Sequence, residues 1–64
     1  MRKFSAIAKI HPDKFVKYRT NHPDNLVKFL QTKFGNVLWI NFFNKATRQQ
    51  VGNWTKNKGL NMYL

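Results

Sequence analysis

The chain has 64 residues, of which 42% are hydrophobic and 16% aromatic, and it contains no cysteine. These values exclude a disordered basic tail, a disulfide scaffold, a zinc–thiolate site and a thiol nucleophile. Twelve lysine and arginine residues stand against two acidic ones, which gives a net charge of +10. Solubility alone needs a charge of only about 2–8, so the excess favours an anionic partner. We expect residues 1–64 to form a single small basic domain.

The first half of the chain predicts one strand followed by two helices. Apolar residues alternate with more polar ones over residues 3–10, which is the period of a strand. The sequence HPDKFVKY at 11–18 then returns as HPDNLVKF at 22–29. Because Pro suits the first position of a helix and Asp its first turn, the repeat predicts helices at 12–19 and 23–34.

The second half predicts three strands. Residues 37–43 are apolar on both faces, which is typical of a central strand. A basic turn at 44–48 precedes a weaker strand at 49–54, where Gly52 indicates a bulge or a close backbone approach. A second basic turn at 55–59 leads to a short last strand at 60–64. The order β-α-α-β-β(-β) predicts an α+β domain, an antiparallel sheet with helices packed on one face.

The sequence argues against an enzyme. Its two carboxylates, Asp13 and Asp24, are both explained as helix-start residues. His11 and His22 without an acidic third ligand make a poor metal site, and the common nucleotide-binding, hydrolase and metalloprotease motifs do not occur. We therefore expect no catalytic residues, no metal, no cofactor and no small-molecule substrate.

Four cations in the two predicted turns are candidate phosphate-binding residues. Lys45 and Arg48 belong to the first turn, and Lys56 and Lys58 to the second. Two basic turns at the same end of a hairpin array, or flanking one strand, place cations where a phosphate backbone can run. The alternative interpretation is that hairpin turns are ordinarily polar.

The aromatic residues of the second half are candidate base-stacking residues. Trp39 and Phe43 fall on one face of the central strand, opposite to Leu38. If the helices cover the Leu38 face, Trp39 and Phe43 are left on an open face, where Trp54 of the next strand can join them and stack unpaired bases. The alternative is that these rings are core, but one helical layer cannot cover both sheet faces.

Three hypotheses follow for the function. The favoured one is a non-enzymatic protein that binds RNA or single-stranded DNA through basic turns and exposed aromatics. The second is a small basic protein-interaction module, such as a phage-encoded subunit or inhibitor, that docks on an acidic protein surface. The third, a cationic membrane-active peptide, is disfavoured by the many asparagines and the interrupting prolines. No apolar run spans a bilayer and no targeting segment is visible, so we expect a cytoplasmic location, in the host cell if the protein is viral.

Overall fold

The computed structural model describes residues 3–63. The elements of this range are, in chain order, β1 (Phe4–His11), β2 (Lys14–Thr20), α1 (Pro23–Phe34), β3 (Trp39–Asn44), β4 (Gln50–Thr55) and β5 (Gly59–Met62). The strands form one antiparallel sheet in the order β2-β1-β3-β4-β5. The α+β class and the antiparallel sheet are confirmed, whereas the predicted helix count and element order are wrong. Leu64, part of the predicted last strand, lies outside the described residues.

The helix α1 packs on one face of the sheet, and the core lies between them. Leu30 of α1 and Phe42 of β3 are both fully buried there. On β1 the core positions are Ala6 and Ala8, whose small side chains leave room for the helix to approach the sheet. The remaining members of the buried cluster are Leu26, Val27, Val37, Ile40 and Trp54.

The helix predicted at 12–19 is wrong, because this segment is strand β2. Pro12 and Asp13 form the turn that joins β1 to β2, where the fixed φ of proline is as suitable as it is at a helix start. A helix of eight residues is marginal on its own. As a strand, the segment hydrogen-bonds along β1 and packs Val16 and Tyr18 against the core.

The second copy of the repeat forms α1 at the predicted bounds. Pro23 and Asp24 lie in its first turn, and Gly35 ends it with a φ of 78°. Apolar side chains that face the sheet recur along the whole helix, from Leu26 to Phe34, which gives this copy enough apolar surface to pack as a helix. At twelve residues α1 is too short and too polar to span a bilayer, and residues 3–63 hold no other helix.

Gly52 lies where strands β4 and β5 come very close together. The register between β3 and β4 shifts beside it, which marks a β-bulge. A Cβ atom at Gly52 would lie 2.9 Å from the carbonyl oxygen of Asn61 and would overlap the Met62 thioether. The predicted bulge and the predicted close approach are both confirmed.

Candidate nucleic-acid interface

The sheet face that points away from α1 carries a distinct set of side chains, and we call it the open face. In the described part of the chain the only helix lies on the other side, and Phe15 and Tyr63 here are 55% and 54% exposed. Strand alternation and the observed registers assign its members. They are Ser5, Ile7, Lys9, Phe15, Lys17, Arg19, Trp39, Asn41, Phe43, Gln50, Asn53, Thr55, Asn61 and Tyr63.

The middle strand β3 places two aromatic rings in line on the open face. Trp39, Asn41 and Phe43 occupy alternate positions of β3, so successive members lie about 7 Å apart. The ring centroids of Trp39 and Phe15 are 5.9 Å apart and tilted by 55°. The Lys9 ammonium lies 5.4 Å from the Phe15 centroid. Phe15 therefore supports Trp39 from the side, and the rings of Trp39 and Phe43 are both only half-buried, as a stacking surface requires.

Three cations accompany these rings on β1 and β2. Lys9, Lys17 and Arg19 project from the open face, and the last two are exposed. Both acidic side chains of the protein lie elsewhere, Asp13 in the β1–β2 turn and Asp24 in α1. The open face is therefore positive with no carboxylate side chain to compensate, which attracts anions to it.

The turn after β3 adds two further cations at one end of the open face. The Asn44 side chain orders this turn by accepting hydrogen bonds from the backbone N–H groups of Ala46 and Thr47, at 2.8 and 3.1 Å. Arg48 has a φ of 64°, a left-handed conformation that is uncommon for residues other than glycine. This end holds a surface depression of about 410 Å³ lined by Ser5, Ile7, Arg19, Phe43, Asn44, Lys45 and Arg48.

The second basic turn lies at the opposite end of β4 from the first. Lys56 and Lys58 are exposed there, and the backbone N–H of Lys58 donates to Thr55 Oγ1 at 3.3 Å. The two turns flank one strand and do not share an end of the sheet. A ligand that touches both must run along β4 for about 20 Å.

The expectation that Trp54 joins the open face is wrong. Its side chain belongs to the core on the α1 side and is only 7% exposed, opposite Ile40 of β3. The polar neighbours Asn53 and Thr55 flank it, so alternation over residues 53–55 already places the indole on the face opposite to these two side chains. Trp39 and Phe43, in contrast, lie on the open face.

Sequence reasoning missed the contribution of β2 to this face. Phe15, Lys17 and Arg19 were assigned to a helix, which hid their common direction. Their spacing of two residues was the signal that could have identified them, since it is the period of a strand. Arg19 adds to the positive end where Lys45 and Arg48 lie, and Lys17 lies level with Asn41 in the middle of the sheet.

A row of asparagines crosses three strands of the open face. Asn41, Asn53 and Asn61 pair directly across β3, β4 and β5, so neighbouring members are about 5 Å apart. Gln50 Nε2 donates to Asn41 Oδ1 at 3.3 Å, and the Tyr63 hydroxyl donates to Asn53 Oδ1 at 3.2 Å. We call Asn41, Asn53 and Asn61 the amide row. Asparagine side chains of this kind are suited to contact base edges.

Comparison of the chain with protein-family models, with curated proteins and with solved structures finds no match. The chemistry of the open face is therefore the basis for a functional conclusion.

Proposed function

We propose that this is a non-enzymatic protein that binds single-stranded nucleic acid, RNA or DNA, along its open face. The main support is the composition of that face: accessible rings, an amide row and uncompensated cations on one surface. Proteins that bind single strands combine a positive track for the phosphates with aromatic rings for the bases. A sheet face that only contacts solvent would instead mix acids with the cations and would carry few aromatic rings.

The proposed ligand path runs parallel to β3. Bases stack on Trp39 and Phe43, while phosphates follow Lys17 and Arg19 on one side. The two turns, with Lys45 and Arg48 at one end and Lys56 and Lys58 at the other, hold the backbone where it enters and leaves the sheet.

The aromatic rings and the cations are expected to contribute to binding in different, measurable ways. Stacking on an aromatic side chain contributes about 1–3 kcal/mol per base and is insensitive to salt. Each neutralised phosphate of a single strand steepens the dependence of log K on log salt by about 0.7. Loss of a cation should therefore change the salt slope, and loss of a ring should change the affinity at constant slope.

The test compares two double variants with the same net charge. Lys17→Ala/Arg19→Ala removes two cations from the open face, and Lys14→Ala/Lys28→Ala removes two exposed cations that point away from it. Binding of labelled oligonucleotides of about 12 nucleotides is measured by anisotropy between about 50 and 300 mM NaCl. We expect the first variant to flatten the slope by about 1.4 and the second to leave it almost unchanged.

Two results would overturn the proposal. One is no binding of any single strand by the wild-type protein at the lowest salt, and the other is an equal loss in both double variants, since this reflects net charge alone. Retention of a single acidic protein from nuclease-treated lysate, together with no oligonucleotide binding, would support the protein-interaction module in its place.

A further inference from the structure

We propose that the amide row gives the protein a preference for bases that carry a carbonyl group at C6 of a purine or C4 of a pyrimidine over bases that carry an amino group at that position. This inference rests on the proposed function and specifies its ligand. The preferred bases are uracil or thymine and guanine, and the disfavoured ones are cytosine and adenine.

The orientation of two side-chain amides supports the preference. The oxygens of Asn41 and Asn53 each accept a hydrogen bond from a neighbour on the open face, Gln50 and Tyr63 respectively. Among residues 3–63 their amide nitrogens donate to no protein group. Because each oxygen is already engaged by a neighbour, the NH₂ groups of Asn41 and Asn53 are the part of each amide left to interact with a ligand, so these two members of the row offer hydrogen-bond donors.

The side-chain amides of Asn41 and Asn53 lie where they can contact the edges of stacked bases as well as phosphates. Asn41 lies between Trp39 and Phe43 on the same side of β3. A base that stacks on either ring extends its edge toward this amide, about 7 Å along the strand. Asn53 is directly opposite Asn41 on β4, so a second donor lies within reach of the same base or the next one.

The chemistry of the bases then determines the selection. Guanine O6 and uracil or thymine O4 accept hydrogen bonds, whereas the adenine N6 and cytosine N4 amino groups at the corresponding positions donate them. An outward NH₂ group pairs with the carbonyl oxygens and meets another donor in the amino bases. A buried donor without an acceptor is unfavourable, which adds to the discrimination.

The test uses oligouridylate and oligocytidylate of equal length at neutral pH. These two strands have the same backbone and the same ring size, and their bases differ at C4, a carbonyl in uracil and an amino group in cytosine, and in the proton on the adjacent N3. We expect the wild-type protein to bind oligouridylate about five- to thirtyfold more tightly. Replacement of adenosine by inosine, which exchanges the amino group for a carbonyl, should strengthen binding in the same direction.

Two variants test whether the amide orientation is responsible. Tyr63→Phe keeps the ring and deletes the hydroxyl that holds Asn53, so the uridine preference should fall severalfold with an unchanged salt slope. Asn53→Asp replaces the donor by an acceptor of the same shape and should reduce the preference further or reverse it. Asn25→Asp, on the exposed side of α1, adds the same charge away from the open face and should leave the ratio unchanged.

The outcomes separate this inference from the proposed function. If neither oligonucleotide binds, the proposed function fails. If both bind with equal affinity, or if Tyr63→Phe leaves the ratio unchanged, the protein is a nucleic-acid-binding protein without this selectivity and the inference fails. Circular dichroism of each variant confirms that the fold is intact, and Tyr63→Phe removes only an exposed hydroxyl, so it provides the decisive comparison if Asn53→Asp does not fold.

Discussion

The two tryptophans have different roles although they lie on neighbouring strands. Trp39 faces the open side of the sheet and contacts Phe15, while Trp54 is sealed under α1. Burial of a large aromatic side chain is a main source of stability in a small domain, and an accessible one is available for a ligand. The face of the sheet toward which each tryptophan points therefore determines whether its side chain stabilises the fold or is accessible to a ligand.

We predict that Trp39→Ala mainly weakens binding and that Trp54→Ala mainly destabilises the fold. Trp39→Ala should weaken oligonucleotide binding by about 1–3 kcal/mol, the contribution of one stacked base, with a smaller loss of folding free energy. Trp54→Ala should destabilise the fold by about 3–5 kcal/mol because it leaves a cavity in the core. Urea unfolding and anisotropy titration measure the two effects. An equal loss of stability in both variants would show that Trp39 is a core residue.

At the scale of elements, the repeated sequence shows what local patterns can and cannot specify. Both copies, at 11–18 and 22–29, begin with His-Pro-Asp, and proline followed by aspartate fits a turn as well as a helix start. What distinguishes them lies downstream. The second copy continues with Leu30 and Phe34 at helical spacing, whereas the first is followed by three polar residues at 19–21 and soon afterwards by Pro23. Continuity of the pattern, more than the motif, determined the element type.

The predicted part of the site was similarly limited to local information. The alternation of β3 was enough to place Trp39 and Phe43 on one face, because strand alternation needs no knowledge of the partner strand. Lys17 and Arg19 lie on the same face as these rings because β1 pairs with both β2 and β3. The pairing of β1 with β3 cannot be predicted from a short segment of sequence. The absence of β2 from the predicted site therefore has two causes, the helix assigned to residues 12–19 and the long-range pairing of β1 with β3.

Gly52 allows a prediction at the level of strand packing. Gly52→Ala should lower the free energy of unfolding by about 1–3 kcal/mol, because the added methyl group overlaps Met62 and approaches the Asn61 carbonyl oxygen to 2.9 Å. Gly52→Ala/Met62→Ala should recover only part of the loss, since the backbone contact remains. Chemical denaturation measures both. Unchanged stability of the single variant would mean that β5 can shift away without cost.

The whole molecule is small compared with the range of its own electrostatic repulsion. Its extents are 29 × 21 × 20 Å, and its net charge is +10. The screening length is about 30 Å at 0.01 M salt and about 8 Å at 0.15 M. At low salt every cation therefore repels every other one, and at physiological salt only near neighbours interact.

We predict that salt has opposite effects on folding and on binding. Raising NaCl from about 10 to 150 mM should increase the free energy of unfolding, because screening relieves the self-repulsion. The same change should weaken oligonucleotide binding. Thermal or urea unfolding across this range, with and without an oligonucleotide, measures both signs. A fold that loses stability as salt is added would show that attractive ion pairs outweigh the repulsion.

The pairing of β1 with β3 determines when the open face forms during folding. It joins Phe4 to Asn44, forty positions away along the chain, whereas the other strand pairs connect near neighbours in sequence. The β1–β2 hairpin supplies Lys9, Lys17 and Arg19, and the β3–β5 meander supplies the rings of β3, the amides and the two basic turns. Neither half alone displays the combined surface. Closing a loop of this length is entropically costly and slow compared with local hairpin formation, so the binding surface is a late product of folding that exists only once the distant halves have met.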